Sequence, residues 1–360
     1  MAADSIKARL GKLREKLSGG SNKNASNTVL IDGATSFVGT PIIMEFLEHG
    51  YKVRAQVRSE SSADKVRQTF PGVDETQLEF VIVKDIEAPG AYAEAVKGVE
   101  GVIHLAAPFL LQVEDNERDL LRPSLQGTLQ VLESVHKYGP NVKRVVITSS
   151  FSSIIDIPKG NRPGYTYSEK DWNPVTWEEA VAGSGPVAYS ASKVFAEKAA
   201  WDYIEKHKPH FTLAAVCPPM IYGPAYQNVD IKHLNTSLGD IYRFMDGSTK
   251  EPGLTMFPAF ADVRNVAQAH LKAYEHPESG RYFITSGTFL YNDVCQILRD
   301  FLPDRKDRIT DPDATPRVET FKVDNSKAKR ELGIEFISKE KTFQDTARSL
   351  IEIEKRSGVA

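Results

Sequence analysis

Tyr189 and Lys193, four residues apart in the run YSASK, are the pair of side chains best suited to chemistry in this chain. On a helix, residues at this spacing share a face, so a phenol and an ammonium project side by side toward one ligand. A nearby cation favours phenolate. Lys193 is therefore expected to draw the Tyr189 pKa down from its usual value of about 10 toward working pH, where a general acid or base is most effective. Upstream, the strand-like run RVVITSS ends on Ser149 and Ser150, and a hydroxyl at that strand end would complete a site for a carbonyl oxygen.

These side chains need a scaffold that brings a strand end and a helix face together. Residues 28–58, TVLIDGATSFVGTPIIMEFLEHGYKVRAQVR, read as a short apolar strand, a turn of small residues, a helical pattern closed by Gly50 and a second strand. This is a βαβ unit of the kind that binds dinucleotides. Its turn holds Gly33, Thr35, Ser36, Phe37, Val38 and Gly39. Gly33 would permit the tight turn and Gly39 the close approach of helix to sheet, while amides at the helix start would hold a pyrophosphate.

With these elements the chain resembles the extended short-chain dehydrogenase/reductases, and among them the dihydroflavonol reductase, cinnamoyl-CoA reductase and fungal aldehyde and ketone reductase branch. The resemblance covers roughly residues 28–345. It is carried by the glycine turn, EHGYKVRAQVRS, HLAAPF (104–109), QGT (126–128), RVVITSSFSS (144–153), YSASKVFAEKAAW (189–201), CPPMIYGP (217–224) and ADVRNVAQAH (261–270). It implies that Ser150, Tyr189 and Lys193 are catalytic. It also implies that Asp85 and Ile86, after the strand FVIVK, and Ala106 and Pro218, at later strand ends, contact the cofactor. Phe109 and Tyr222, with Met220 and Ile221, would line the substrate pocket. Two positions depart from the pattern: Asp32 stands where the family has Thr, and Ser36 where it has the central glycine. An ionised Asp32 pointing inward would repel a pyrophosphate, and a Cβ at Ser36 narrows the approach to it. The expectation is weakened or re-posed cofactor binding.

The choice of cofactor is readable from charge. An NAD-selective site presents an acid about 20 residues beyond the turn, but the run here is VRAQVR. Arg58, with Lys65 beyond it, matches the positions that take the 2′-phosphate in the family, and a guanidinium suits that dianion. The expected cofactor is NADPH.

With 360 residues, 41% hydrophobic and 26% charged, the chain can bury a large core as a main domain plus a smaller lobe. A net charge of −3 gives no general signal for nucleic acid, no apolar run reaches membrane-span length, and two cysteines make neither a disulfide framework nor a metal set. Cys217 and Cys295 read as buried apolar groups, and His104 and His136 as structural. Strands are expected at 28–32, 52–57, 79–84, 100–106, 143–148 and 211–216, with helices between them. The fold class is α/β, a Rossmann-type doubly wound parallel sheet with a smaller C-terminal α/β lobe. The division is 1–27 N-terminal helix and linker, 28–217 NADP-binding domain, and 218–360 mainly substrate lobe with parts packing back. In that lobe, residues 233–258 read as flexible and 261–276 as an amphipathic helix.

Residues 1–27 lie outside the resemblance. Ile6, Leu10, Leu13 and Leu17 form an apolar stripe flanked by Lys7, Arg9, Lys12, Arg14 and Lys16, and SGGSNKNASN follows as a linker. Such a helix could contact a membrane surface or a partner weakly, or lie on its own domain. The whole reads as a cytoplasmic, monomeric or homodimeric NADPH-dependent reductase of an aldehyde or ketone. The alternatives are a nucleotide-sugar epimerase, a hydroxysteroid dehydrogenase, or a non-catalytic NADP(H)-sensing or scaffold protein.

Overall fold

The structure, a computed structural model, describes residues 9–13, 15, 27–107 and 113–358. Strands and helices alternate through the first half. Strand β1 (Thr28–Ile31) leads to helix α1 (Gly39–Glu48), β2 (Lys52–Val57) to α2 (Glu60–Thr69), and β3 (Leu78–Ile82) is followed by β4 (Gly101–His104), α3 (Arg122–Tyr138) and β5 (Arg144–Thr148). After the short strand β6 (Thr166–Tyr167) come α4 (Trp177–Ala182), the long α5 (Gly185–His207), β7 (Thr212–Cys217) and β8 (Met220–Tyr222). The remainder holds α6 (Thr236–Tyr242), β9 (Ala259–Asp262), α7 (Val263–Glu275), β10 (Gly280–Phe283), β11 (Gly287–Thr288), α8 (Tyr291–Phe301), β12 (Lys322–Val323), α9 (Ser326–Leu332) and α10 (Lys339–Ser357).

Seven strands form the main sheet in the order β3-β2-β1-β4-β5-β7-β10, with every pair parallel. Consecutive side chains of a strand point to opposite faces, and here both faces are buried. Val29, Ile31, Ile103 and Val146 enter one apolar core, while Leu30, Val102, Val145 and Ile147 enter the other. Such strands read as continuous apolar runs because helices cover both sides. The chain crosses from one half of the sheet to the other between β1 and β4, so their carboxyl ends frame a crevice, the usual place for a ligand in an open α/β sheet.

All six expected strands match to within two residues at either end, the 100–106 strand being trimmed to Gly101–His104. The seventh, β10, lies far along the chain within the stretch expected to form the lobe and returns to the main sheet beside β7. Helix α7 packs on α1. The lobe carries its own sheet, β11-β9-β8, over a third core that includes Phe244, Phe260, Phe289 and Phe343. The stretch 233–258 contains α6, capped by Asn235, whose side chain accepts from the Leu238 amide at 2.9 Å.

The described part of the N-terminal stripe is covered by the protein itself. Leu13 is 1% exposed in the core shared with Ile42, Ile43 and Phe46, and Leu10 packs against it. Arg9 pairs with Glu45 and Glu48 of α1. Of the readings offered for this helix, Leu10 and Leu13 fit the one in which it lies on its own domain: Leu13 is buried there and Leu10 partly so. Ile6, Lys7, Arg14, Lys16, Leu17 and the linker lie outside the described residues. No described helix is long and apolar enough to cross a membrane.

Candidate active site

The turn between β1 and α1 is shaped by its glycines. Gly33 sits at φ +60°, where a side chain is strained. A Cβ on Gly39 would lie 2.3 Å from the Gly33 carbonyl oxygen, so only glycine lets the helix start this close to the strand. Ser36 closes the turn: its amide donates to the Gly33 carbonyl at 2.9 Å, and its Oγ accepts from the Gly39 amide at 2.9 Å. The amides of Phe37 and Val38 have no hydrogen-bond partner among the described residues, and they stand at the positive end of the α1 dipole. Thr35 is exposed beside them.

Asp32 does not face this turn, which corrects the expected clash with a pyrophosphate. Its side chain is fully buried between β1 and β4. There it accepts from the Leu105 amide at 2.5 Å, the Ala106 amide at 2.7 Å and the Tyr92 hydroxyl at 3.0 Å, and meets His104 Nδ1 at 2.5 Å. Burial opposes its charge, but His104 and the two amides outweigh that and hold the carboxyl below the usual carboxylate range. The residue that replaces threonine therefore ties together the two strand ends that frame the crevice.

Other expected contacts fall along the same carboxyl edge. Arg58 follows β2 and Lys65 lies on α2; both are exposed and neither forms an ion pair among the described residues. Asp85 and Ile86 follow β3, Ala106 follows β4, and Pro218 follows β7, its carbonyl accepting from the Phe151 amide at 2.8 Å. Gln56, which sequence reasoning passed over, is buried at the end of β2 and spans the Gly33 amide and the Val83 carbonyl.

A cavity of about 690 Å³ opens at this edge. Ser150 reaches it from the end of β5, and Tyr189 and Lys193 from consecutive turns of α5, with the lysine Nζ 5.8 Å from the tyrosine ring centroid. Small buried residues of α5, among them Ala188, Ala191 and Ser192, let the helix sit close to the sheet. Tyr189 and Lys193 keep part of their surface on the cavity but are otherwise enclosed by protein. Burial pushes the Tyr189 phenol up to about 12, against a smaller downward pull from a hydrogen bond with Ser150, and pushes the Lys193 ammonium down to about 8. The expected lowering of the tyrosine by the lysine is thus corrected: desolvation dominates at both groups and pushes the phenol up, which favours its protonated form.

Met220 and Ile221 line the cavity with Phe37, Leu234 and Phe257, and Asn235, Ser237 and Asp240 add polar groups. Tyr222, expected on this wall, is fully buried in the core of the lobe, where its hydroxyl donates to Asp240 at 2.9 Å. It packs on Phe289 and Phe343, so it reaches the cavity only through Asp240. Phe109 lies outside the described residues.

Behind the site is a buried network with no mark in the sequence pattern. Glu197, one turn beyond Lys193, accepts from Ser149 Oγ at 2.5 Å and Ser153 Oγ at 2.7 Å, and pairs with Arg281 of β10 at 2.6 Å. The two serines flank Ser150, so the network fastens the Ser150 segment to the helix bearing Tyr189 and Lys193. On the other side, His270 of α7 is fully buried between the Val266 carbonyl and Thr148 Oγ1, 2.7 Å away. Burial pushes its pKa down to about 4, which keeps the ring neutral. Cys217 and Cys295 are buried thiols, and His136 meets the Tyr203 hydroxyl at 3.0 Å.

Known proteins resemble this chain along most of its length. The ketoreductase azaE of Aspergillus niger is 37% identical over 335 residues, a match covering 90% of this chain and 97% of that one. The NADPH-dependent methylglyoxal reductase GRE2 of Saccharomyces cerevisiae is 35% identical over 344 residues, covering 91% of this chain and 99% of the yeast protein. The crystal structure of yeast methylglyoxal/isovaleraldehyde reductase Gre2 complexed with NADPH superposes with a TM-score of 0.84 at 33% identity, covering 91% and 99% of the two chains. The family model for the NAD dependent epimerase/dehydratase family matches residues 29–284. With the parallel sheet, the glycine turn and the cavity at the strand ends, this chain belongs to the NAD dependent epimerase/dehydratase family.

Proposed function

We propose that this protein is an NADPH-dependent reductase that converts an aldehyde or ketone to an alcohol. The observation that carries the reading is the convergence of Ser150, Tyr189 and Lys193 on one cavity, with a phenol held in its protonated form. The names of the relatives, reductases of carbonyl compounds, point the same way.

The residues present fit the cofactor. The paired-off Asp32 leaves the turn free of opposing charge, the amides of Phe37 and Val38 are open donors for a diphosphate, and the Ser36 hydroxyl, which accepts from Gly39, keeps its proton for a phosphate oxygen. Arg58 and Lys65 would take the 2′-phosphate, Asp85 and Ile86 would flank the adenine, and Ala106 and Pro218 would line the nicotinamide end. When bound, NADPH supplies the reducing equivalent. Ser150 would hydrogen-bond the carbonyl oxygen as it gains negative charge, and Tyr189 would give that oxygen its proton. Lys193 would steady the phenolate so formed. The apolar walls at Met220, Ile221 and Phe257 suit a substrate with an apolar body.

The test is consumption of reduced cofactor with a panel of aldehydes and ketones, with alcohol product quantified. The reading expects one alcohol per NADPH, faster turnover with NADPH than NADH, and loss of most of that preference in Arg58→Ala. Two charge-assisted hydrogen bonds of about 1.5 to 3 kcal/mol each are at stake. An unchanged preference in the variant would remove Arg58 from the site, and cofactor that binds yet is never consumed would favour a sensing or scaffold role.

A further inference from the structure

The N-terminal segment touches the cofactor turn through two residues of a loop in the substrate lobe. After β8 the chain runs through Gly223, Ala225, Tyr226 and Gln227, and this loop is held on three sides. From α10, Thr346 Oγ1 accepts from the Gly223 amide at 2.9 Å and Ser349 Oγ from the Ala225 amide at 3.0 Å. From the N-terminal segment, the Arg9 guanidinium donates to the Tyr226 hydroxyl at 3.0 Å while pairing with Glu45 and Glu48 of α1, the helix that starts at the turn. On the third side, Gln227 Nε2 donates to the backbone carbonyl of Ser36 inside the turn itself.

Tyr226 is 5% exposed and shares its core with Leu13, so the segment, the loop and α1 pack as one unit. Gln227 Oε1 is buried without a hydrogen-bond partner among the described residues, which leaves one acceptor open beside the turn. Arg9 lies outside the region matched by the family model, which begins at residue 29. Its partners Glu45, Glu48 and Tyr226, and the Gln227–Ser36 contact, lie inside that region.

We infer that Gln227 clamps the phosphate turn, and that Arg9, acting through Tyr226, positions this clamp so that the N-terminal segment slows release of NADPH. The inference rests on the cofactor reading above. A turn pinned to the substrate lobe must part from it before a dinucleotide lying between them can leave. Arg9 touches neither the turn nor the cavity and acts through Tyr226 and through Glu45 and Glu48 of α1, so it is a positioning residue.

The experiment uses the full chain. Release of NADPH is followed by stopped flow after mixing with excess NADP⁺, for wild type, Gln227→Ala, Arg9→Ala, Tyr226→Phe and the Arg9→Ala/Tyr226→Phe double variant. Each single change is expected to speed release about fivefold, the effect of one net hydrogen bond, and the double variant to release no faster than either of its parents, because both break one contact. Hydrogen exchange of the amides at 33–38 without cofactor is expected to rise in Arg9→Ala. Tyr226→Phe keeps the packed ring and carries the test should Arg9→Ala fold poorly. Wild-type release rates in Gln227→Ala, or fully additive effects in the double variant, would overturn the clamp. Failure of wild type to bind NADPH would overturn the cofactor reading, while unchanged hydrogen exchange at the turn would overturn the clamp independently of it.

Discussion

The Asp32 carboxylate and the His104 imidazole, 72 residues apart in the chain, meet at 2.5 Å where β1 and β4 end. The same carboxylate holds the amides of Leu105 and Ala106, so it joins the two strand ends that frame the cofactor crevice. Removing it would leave an imidazole and two amides unpaired in the interior. Asp32→Ala is expected to lower unfolding free energy by about 3 to 5 kcal/mol, the range for breaking a buried pair, as read by urea denaturation. Its carboxyl is held below the usual range, so its contribution is present above about pH 4 and is lost as pH falls through the lower folded-state value. Tighter NADPH binding in Asp32→Thr with Ser36→Gly would show that the native pair obstructs the cofactor.

Glu197 and Arg281 lock the Ser150 segment to α5 from behind. Glu197→Gln keeps the shape but leaves the buried guanidinium without its counter-charge, so a loss of roughly 3 kcal/mol or more is expected. Replacing both residues by apolar ones of similar volume should recover stability but not turnover, because the serines flanking Ser150 would lose their acceptor. Equal turnover in the double variant and wild type would show that the network does not position Ser150.

Much of this site is legible in the sequence because the signals are local. The glycine turn, the Tyr189/Lys193 spacing and the strand ending on Ser150 each lie within a few residues, and period and turn chemistry are enough to read them. The direction of Asp32 is not local, since it depends on amides brought alongside by β4. Nor is the Glu197–Arg281 pair, whose members are 84 residues apart. Strand β10 is only four residues long, GRYF, and has no pattern of its own until it docks beside β7. Tyr222 follows two cavity residues in sequence, but the start of the lobe sheet turns its ring into the core. The pKa direction of Tyr189 failed for a further reason: spacing shows that a lysine is near but not how deeply both groups are enclosed.

That enclosure has a kinetic signature. Burial pushes Lys193 down to about 8 and Tyr189 up to about 12, so the phenol is expected to stay protonated across the neutral range and the lysine to lose its charge first. Turnover in the reducing direction is expected to be level below about pH 7 and to fall as pH rises past 8. The profile is measured at saturating NADPH. A rate that stays level to pH 10 would show that the charge on Lys193 is not needed.

The central claim is that Tyr189 supplies the proton. Its most direct test is single-turnover reduction of a carbonyl substrate by Tyr189→Phe, with folding and NADPH binding checked in the same samples. Loss of the general acid should leave NADPH affinity nearly intact and slow the chemical step by roughly 10²- to 10⁴-fold. A chemical step within a few-fold of wild type would contradict the account, because the proton would then come from another group.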